Sequence, residues 1–170
     1  DLAFAGLYNL AVPNWFREGD AVYAETKWTP QGRGRLSSFT LPFRMKLLEG
    51  EEWNYYTLRN GSYREYTPDH YPLGYLMVQY GNQIFGETTW DTIVNDAVRY
   101  KHLFSPFSGA IQERTGKRNK HLYHDAMVSY QEQWNAEKVK DIDYPLVGVT
   151  EADDALPYFD MNYPSVNGDG

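Results

Sequence analysis

"YPLGYLMVQYGNQIFG", residues 71–86, decides the fold class. Leu73, Leu76, Met77, Tyr80, Ile84 and Phe85 recur at three- and four-residue intervals, the period at which side chains share one face of an α-helix. The segment is apolar enough to be a central buried helix, and Gly86 is placed to end it. Downstream, "TTWDTIVNDAVRY" (88–100) sets Trp90, Ile93, Val94, Ala97 and Val98 on the i, i+3, i+4, i+7, i+8 template. Thr88 and Asp91 stand ahead of that stripe with the spacing of a capping box. "SPFSGAIQERTG" (105–116) reads as a short helix closed by Gly116. "NKHLYHDAMVSYQEQWNAEKVK" (119–140) reads as a long one, with Leu122, Tyr123, Ala126, Met127, Tyr130 and Trp134 on its inner face.

Working back toward the start, Asn14 after Pro13 is a good N-cap for a helix that runs to about Trp28, where Thr29–Pro30 stops it. At about 100° per residue, Trp15, Gly19, Val22 and Thr26 form one stripe, with Phe16 and Tyr23 on one shoulder and Glu18 and Glu25 on the other. "QGRGRLSSF" (31–39) has the glycines and serines of a loop, and "TLPFRMKLLEG" (40–50) those of a short helix ending at Gly50. "EEWNYYTLRNGSYREYTPDHY" (51–71) is broken at Asn60–Gly61 and Thr67–Pro68 and reads as short helical pieces and ordered loop. "DLAFAGLYNL" (1–10) starts abruptly on apolar residues without a cap, as a cut edge would. Before residue 141 no stretch alternates as a strand does. The expectation is an all-α, irregular bundle of about six helices over residues 1–140, followed by an extended acidic tail over 141–170.

Composition narrows the function. The chain has 170 residues, the size of one domain, with 42% hydrophobic and 23% charged residues, the proportions of a globular protein. Residues 141–170 hold seven acids and no Lys or Arg, which leaves 16 acids and 16 bases in residues 1–140. A neutral body with an acidic tail lacks the concentrated basic surface that nucleic acid or an anionic membrane demands. No apolar run reaches the roughly 20 residues of a membrane span. With no cysteine, any metal is left to His, Asp and Glu.

The candidate chemistry centres on "WFREGDAVYAET" (15–26). Glu18 lies in the first turns of a helix, where the dipole favours an acid, so an ordinary capping charge accounts for it. The same segment resembles the W-x-x-E-G-x-A stretch that follows the zinc-binding helix of gluzincin-type, peptidase MA-like metallopeptidases. "GSYREYTPDHYPLGYLMVQYG" (61–81), the residues W90, A97, P106–F107, T115–K117 and L122–A126, and "FDMNYPSVNGDG" (159–170) extend the resemblance over most of residues 8–170. They are similar to the helical remainder of such a domain in large bacterial surface or periplasmic proteins, where a β-propeller follows.

The resemblance implies that Glu18 is a zinc ligand, that an upstream H-E-x-x-H supplies two histidines and a catalytic glutamate, and that the substrate is a peptide or protein. It also implies that a downstream His or Tyr stabilises the attacked carbonyl, with His70, Tyr71 and Tyr66 as candidates beside their plainer roles in capping and packing. The chain departs from the family pattern in one respect. His70, His102, His121 and His124 are its only histidines, and none is followed by Glu. Catalytic zinc takes three protein ligands and an open position, so this chain alone is expected to be inactive and to bind no zinc.

Two weaker constellations have bland readings. His121 and His124, with Asp125, are spaced to share a metal on one helix face, or are polar-face residues beside Lys117, Arg118 and Lys120. "GRGR" (32–35) has glycines and guanidinium groups but neither the strand nor the Lys-Ser/Thr of a phosphate loop, and its arginines would tie the loop to acids such as Glu25. The competing function is a non-catalytic helical module that packs on a propeller or binds a protein or glycan partner.

Overall fold

The computed structural model describes residues 2–138, with side chains placed for residues 6–137. Eight α-helices follow one another: α1 (Leu2–Ala11), α2 (Asn14–Trp28), α3 (Ser37–Leu48), α4 (Tyr55–Asn60), α5 (His70–Phe85), α6 (Thr89–Val98), α7 (Pro106–Thr115) and α8 (Asn119–Lys138). One 3-10 turn, Arg33–Arg35, separates α2 from α3. Among the described residues there is no strand, and the arrangement is an all-α irregular bundle. The acidic segment 141–170 lies outside the described residues.

Two helices exceed the expected six for identifiable reasons. Helix α1 is apolar apart from Asn9 and leaves Leu7 44% and Leu10 79% exposed, so its sequence reads as an abrupt apolar edge and not as a capped, one-sided helix. Helix α4, six residues long, is one of the short helical pieces expected within 51–71 and not counted among the six; it is fixed by its cap, Asn54 Oδ1 accepting from the Tyr56 N–H at 2.9 Å. Two expected caps are not formed. Asn14 is already helical and its side chain accepts from Arg17, while Pro13 holds the extended cap position. Thr88 is αR rather than extended, because the Thr89 N–H bonds back to the Gly86 carbonyl, and its hydroxyl cannot reach the first turn of α6. On α5, Ile84 turns out of the core and is 57% exposed.

The core is organised around α5, in which nine of the residues from Pro72 to Gly81 are buried. On one side α2 and α5 cross at Gly19 and Gly74. A Cβ on Gly74 would lie 1.9 Å from the Trp15 carbonyl oxygen, and one on Gly19 would lie 2.1 Å from the Gly74 carbonyl carbon. Beside this crossing Trp15, Phe16, Trp90 and Phe107 form one aromatic cluster, with Phe16 and Phe107 centroids 4.9 Å apart and Trp15 edge-on to Phe107 at 5.8 Å. Trp90 is fixed by its Nε1–H, which donates to the Val78 carbonyl at 3.0 Å, and its ring covers Gly81.

On the other side, α8 lays Leu122, Tyr123, Ala126, Met127, Tyr130 and Trp134 against the core, all of them buried as the spacing predicts. Its phenols bond backbone: Tyr123 Oη donates to the Trp53 carbonyl at 2.9 Å and Tyr130 Oη to the Leu76 carbonyl at 3.2 Å. Burial drives both phenol pKa values well above the ordinary range.

One buried acid is neutralised from the following connection and from the next helix. Asp96, 3% exposed at the end of α6, meets Lys101 Nζ at 2.8 Å and Arg114 Nε at 2.9 Å. The hydrogen bond from Lys101, with that from Arg114, holds its carboxyl below the usual value against the opposing effect of burial.

Gly74→Ala is expected to cost about 3 kcal/mol or more, because the obstructing atom is backbone and cannot swing away. Urea unfolding of the two proteins measures it, and an unchanged midpoint would refute the close crossing. Asp96→Asn is expected to cost about 1–2 kcal/mol at neutral pH, less than breaking a fully buried pair, because the side chains of Lys101 and Arg114 are 43% and 37% exposed and are not left as buried charges. Because the folded pKa of Asp96 is depressed, its stabilisation is full above the ordinary carboxylate value near about 4 and fades as pH falls toward the lower folded value. The gap between wild type and variant therefore narrows in that acidic window; a gap independent of pH would count against the assignment.

Candidate functional site

Helix α2 presents Glu18 half-buried on the shoulder of its buried stripe, one residue before the glycine at which it crosses α5. Helix α5 starts at His70, capped by Asp69, so that Tyr71 stands one turn ahead of Gly74. The Gly19–Gly74 crossing therefore brings Glu18 and Tyr71, 53 positions apart in sequence, to the same edge of the bundle. The Tyr71 hydroxyl comes near the Glu18 carboxylate, and that interaction, then the carboxylate's charge, holds the Tyr71 pKa above its ordinary value.

Arg33 completes the edge. Its guanidinium lies over the Tyr71 ring, 5.4 Å from the centroid, and pairs with Glu25 at 3.2 Å. Glu25 also accepts from the Arg33 backbone N–H at 3.0 Å, and these bonds from Arg33 lower the Glu25 pKa. The "GRGR" loop is thus folded onto the end of α2, as the sequence suggests for Arg33. Arg35 reaches the Thr26 and Thr29 carbonyls instead of an acid. Gly34 is required there, since a Cβ would sit 2.4 Å from the Tyr75 ring.

His70 Nδ1 is 2.7 Å from Asp69 Oδ1, and its ring leans on Tyr71 with centroids 4.8 Å apart. Tyr66 is placed by its backbone, the carbonyl accepting from Trp53 Nε1 at 3.1 Å, and its side chain is 46% exposed. Of the sequence-predicted residues, then, Glu18, Tyr71 and His70 share one edge. His121, His124 and Asp125 go separate ways: His124 Nδ1 meets Glu52 at 3.0 Å, Asp125 pairs with Lys117, and His121 is exposed.

Could these groups hold a metal? The Glu18 carboxylate has oxygen lone pairs to offer a metal. Among the described residues, however, no three His, Asp or Glu side chains converge on one point. The described residues offer one zinc-binding oxygen and do not by themselves make a zinc site. Gly19 and Gly74, as partners in a crossing, escaped the sequence reading. The signal available for them was a glycine inside each of two apolar helical stripes, which marks a close approach of backbones.

A cavity of about 520 Å³ opens between α1, α2 and α6, floored by Phe16 and Trp90 and edged by Asp20 and Asp91. Burial, then the charge of Asp91, raises the Asp20 pKa. Asp20 is two residues from Glu18 and thus about 200° around the helix, so this cavity is separate from the Glu18–Tyr71 edge.

Replacing Glu18 by Gln is expected to lower the Tyr71 ionisation midpoint, since the substitution removes the negative charge that opposes phenolate formation. Titration of ring-labelled tyrosines by NMR follows it, with Glu113→Gln as the control that leaves Tyr71 unmoved. A Tyr71 midpoint equal in wild type and Glu18→Gln would refute the contact.

A scan against models of known protein families finds no match to this chain, and neither the curated proteins nor the solved structures yield one.

Proposed function

We propose that this chain is the C-terminal helical part of a zinc metallopeptidase-like domain, with Glu18 as a zinc ligand and a peptide or protein as substrate. The observation that carries the reading is the meeting of Glu18 with Tyr71 across the Gly19–Gly74 crossing. A ligating carboxylate is ordinarily oriented by a hydrogen-bond donor, and the Tyr71 hydroxyl, whose ionisation the Glu18 carboxylate opposes, is the group near enough to serve as one. Of the three downstream candidates it is the one whose hydroxyl feels that carboxylate, so it is the residue assigned to donate to the substrate carbonyl oxygen. His70, leaning on the Tyr71 ring, is assigned to position it.

Zinc, when bound, supplies polarisation of the carbonyl and an activated water. The other ligands and the general base belong, on this reading, to an upstream H-E-x-x-H outside residues 2–138. The sequence resemblance further assigns 141–170 as the lead-in to a β-propeller and places the parent protein in the periplasm or at the cell surface. The second reading is a helical module that packs on a propeller or binds a protein or glycan partner. It is favoured by the 97% exposure of Phe104 and the 71% exposure of Leu103 between α6 and α7. There the Glu18–Tyr71 contact would be only a tie between helices.

The coding sequence upstream of Asp1 separates the two: H-E-x-x-H within a few tens of residues supports the peptidase, and its absence the module. In the longer protein, metal analysis is expected to find zinc that Glu18→Ala largely removes. Tyr71→Phe is expected to keep the zinc and lower kcat by about 10²–10³-fold, the effect of losing one transition-state donor. Equal zinc in wild type and Glu18→Ala would defeat the ligand assignment.

A further inference from the structure

Helices α4, α5 and α7 each stop at a glycine with positive φ: Gly61 at 77°, Gly86 at 92° and Gly116 at 71°. In two of them the glycine N–H is occupied. Gly86 donates to the Asn82 carbonyl at 3.1 Å and Gly116 to the Gln112 carbonyl at 2.9 Å. Gly61 differs, because its N–H has no acceptor among the described residues. Apart from its chain neighbours, no atom lies within 4 Å of the place a Cβ would take there. The residue before it is Asn60, which is exposed, and whose side-chain amide also has no partner among the described residues.

This pairing matters chemically. The carbonyl carbon of an asparagine side chain is electrophilic, and the backbone nitrogen of the next residue is the nucleophile that the chain itself brings to it. A side chain on the next residue, a hydrogen bond on its N–H, or a backbone held stiffly within a helix each hinders the attack. Gly61 brings no side chain and its N–H is free. Asn60 is the last residue of a helix of only six, where the end frays. Every other asparagine among the described residues is followed by a residue with a side chain, and Asn167–Gly168 lies outside them.

We propose that Asn60 is a site of spontaneous covalent modification, at which the Gly61 backbone nitrogen loses its proton to solvent base and bonds to Asn60 Cγ. The Cγ–Nδ2 bond breaks and ammonia leaves, giving a five-membered cyclic imide. Water then opens the imide at either carbonyl, to aspartate or to isoaspartate, and no oxidant or reductant is consumed. Both products put a carboxylate at the C-terminal end of α4, where the helix dipole disfavours negative charge. The isoaspartate also adds one carbon to the backbone. Because α4 holds Tyr55 and Leu58 in the core, the change loosens that helix end, and it is independent of Glu18 and of zinc.

The folded 170-residue chain and a synthetic peptide of residues 57–64 are kept side by side at mildly alkaline pH and physiological temperature. Samples are digested and analysed by liquid chromatography with mass spectrometry, which localises the converted residue and separates the two products. Conversion at Asn60 in the folded chain is expected to run within about tenfold of the peptide's rate, as at a site that needs no global unfolding. Both aspartate and isoaspartate are expected, and Asn60→Gln is expected to leave that fragment unconverted. Asn60→Asp, which carries the product's charge, is expected to speed hydrogen exchange of the last α4 amides. A folded chain that stays intact at Asn60 while the peptide converts would overturn the site. Conversion to aspartate alone would overturn the attack by Gly61, since direct hydrolysis gives no isoaspartate.

Discussion

The backbone contact between Gly19 and Gly74 is the constraint on which the rest of the molecule depends. Helices ordinarily pack 8–10 Å apart because side chains keep their axes separated. Here the Gly74 Cα stands against the Trp15 carbonyl and the Gly19 Cα against the Gly74 backbone, with no room for a methyl group at either. So close a crossing fixes the rotation of both helices, since only the glycine-bearing faces can meet. It therefore fixes what stands beside those faces: Glu18 next to Gly19 on α2, and Tyr71 one turn before Gly74 on α5.

The aromatic cluster holds that crossing in place. Trp15 and Phe16 leave α2 on the core side and are met by Trp90 from α6 and Phe107 from α7, at centroid distances of 4.9–6.4 Å. Four rings of this size bury on the order of 150–250 Å² each, so the cluster contributes more apolar burial than any comparable group of aliphatic residues in the core. Trp90 in turn depends on Gly81, over which its ring lies, and on the Val78 carbonyl. Helices α2, α5, α6 and α7 are thereby locked as one body around the Glu18–Tyr71 edge. The W and the G of the W-x-x-E-G stretch thus both have structural work, one in the cluster and one in the crossing, whereas Glu18 between them contributes to neither.

Periodicity made the bundle legible where helices were long and one-sided. The inner face of α8, six residues from Leu122 to Trp134, could be listed from spacing alone, because a helix half in water has to alternate its chemistry. The same argument fails for α1, which is apolar apart from Asn9, and for α4, whose six residues span under two turns. Caps were misread for a related reason: Thr88 and Asn14 have the right side chains, but their backbones were already committed, by the Gly86 turn and by Pro13. For the site, sequence could name Glu18 and Tyr71 separately and had no means to join them, because their meeting depends on a crossing between glycines that carry no side-chain pattern. Arg33 was legible as a loop anchor on Glu25, while its position over Tyr71 follows only from the fold of the 3-10 turn.

Charge distribution adds the last step. Asp96, deep in the fold, is met by two bases and has its pKa lowered; Glu25, at the surface, is met twice by Arg33 and is lowered as well. These are carboxylates whose partners lie within the bundle. Glu18 is half-buried and the group it acts on is a neutral hydroxyl, that of Tyr71. Arg33 is near enough to lie over the ring of that same tyrosine, yet its guanidinium turns to Glu25. A carboxylate recruited only to hold two helices together would gain more from the guanidinium than from the phenol, because a charged donor makes the stronger bond. Among the described residues Glu18 is thus left without a basic partner, and on the zinc reading proposed above that charge is the one the metal would take up.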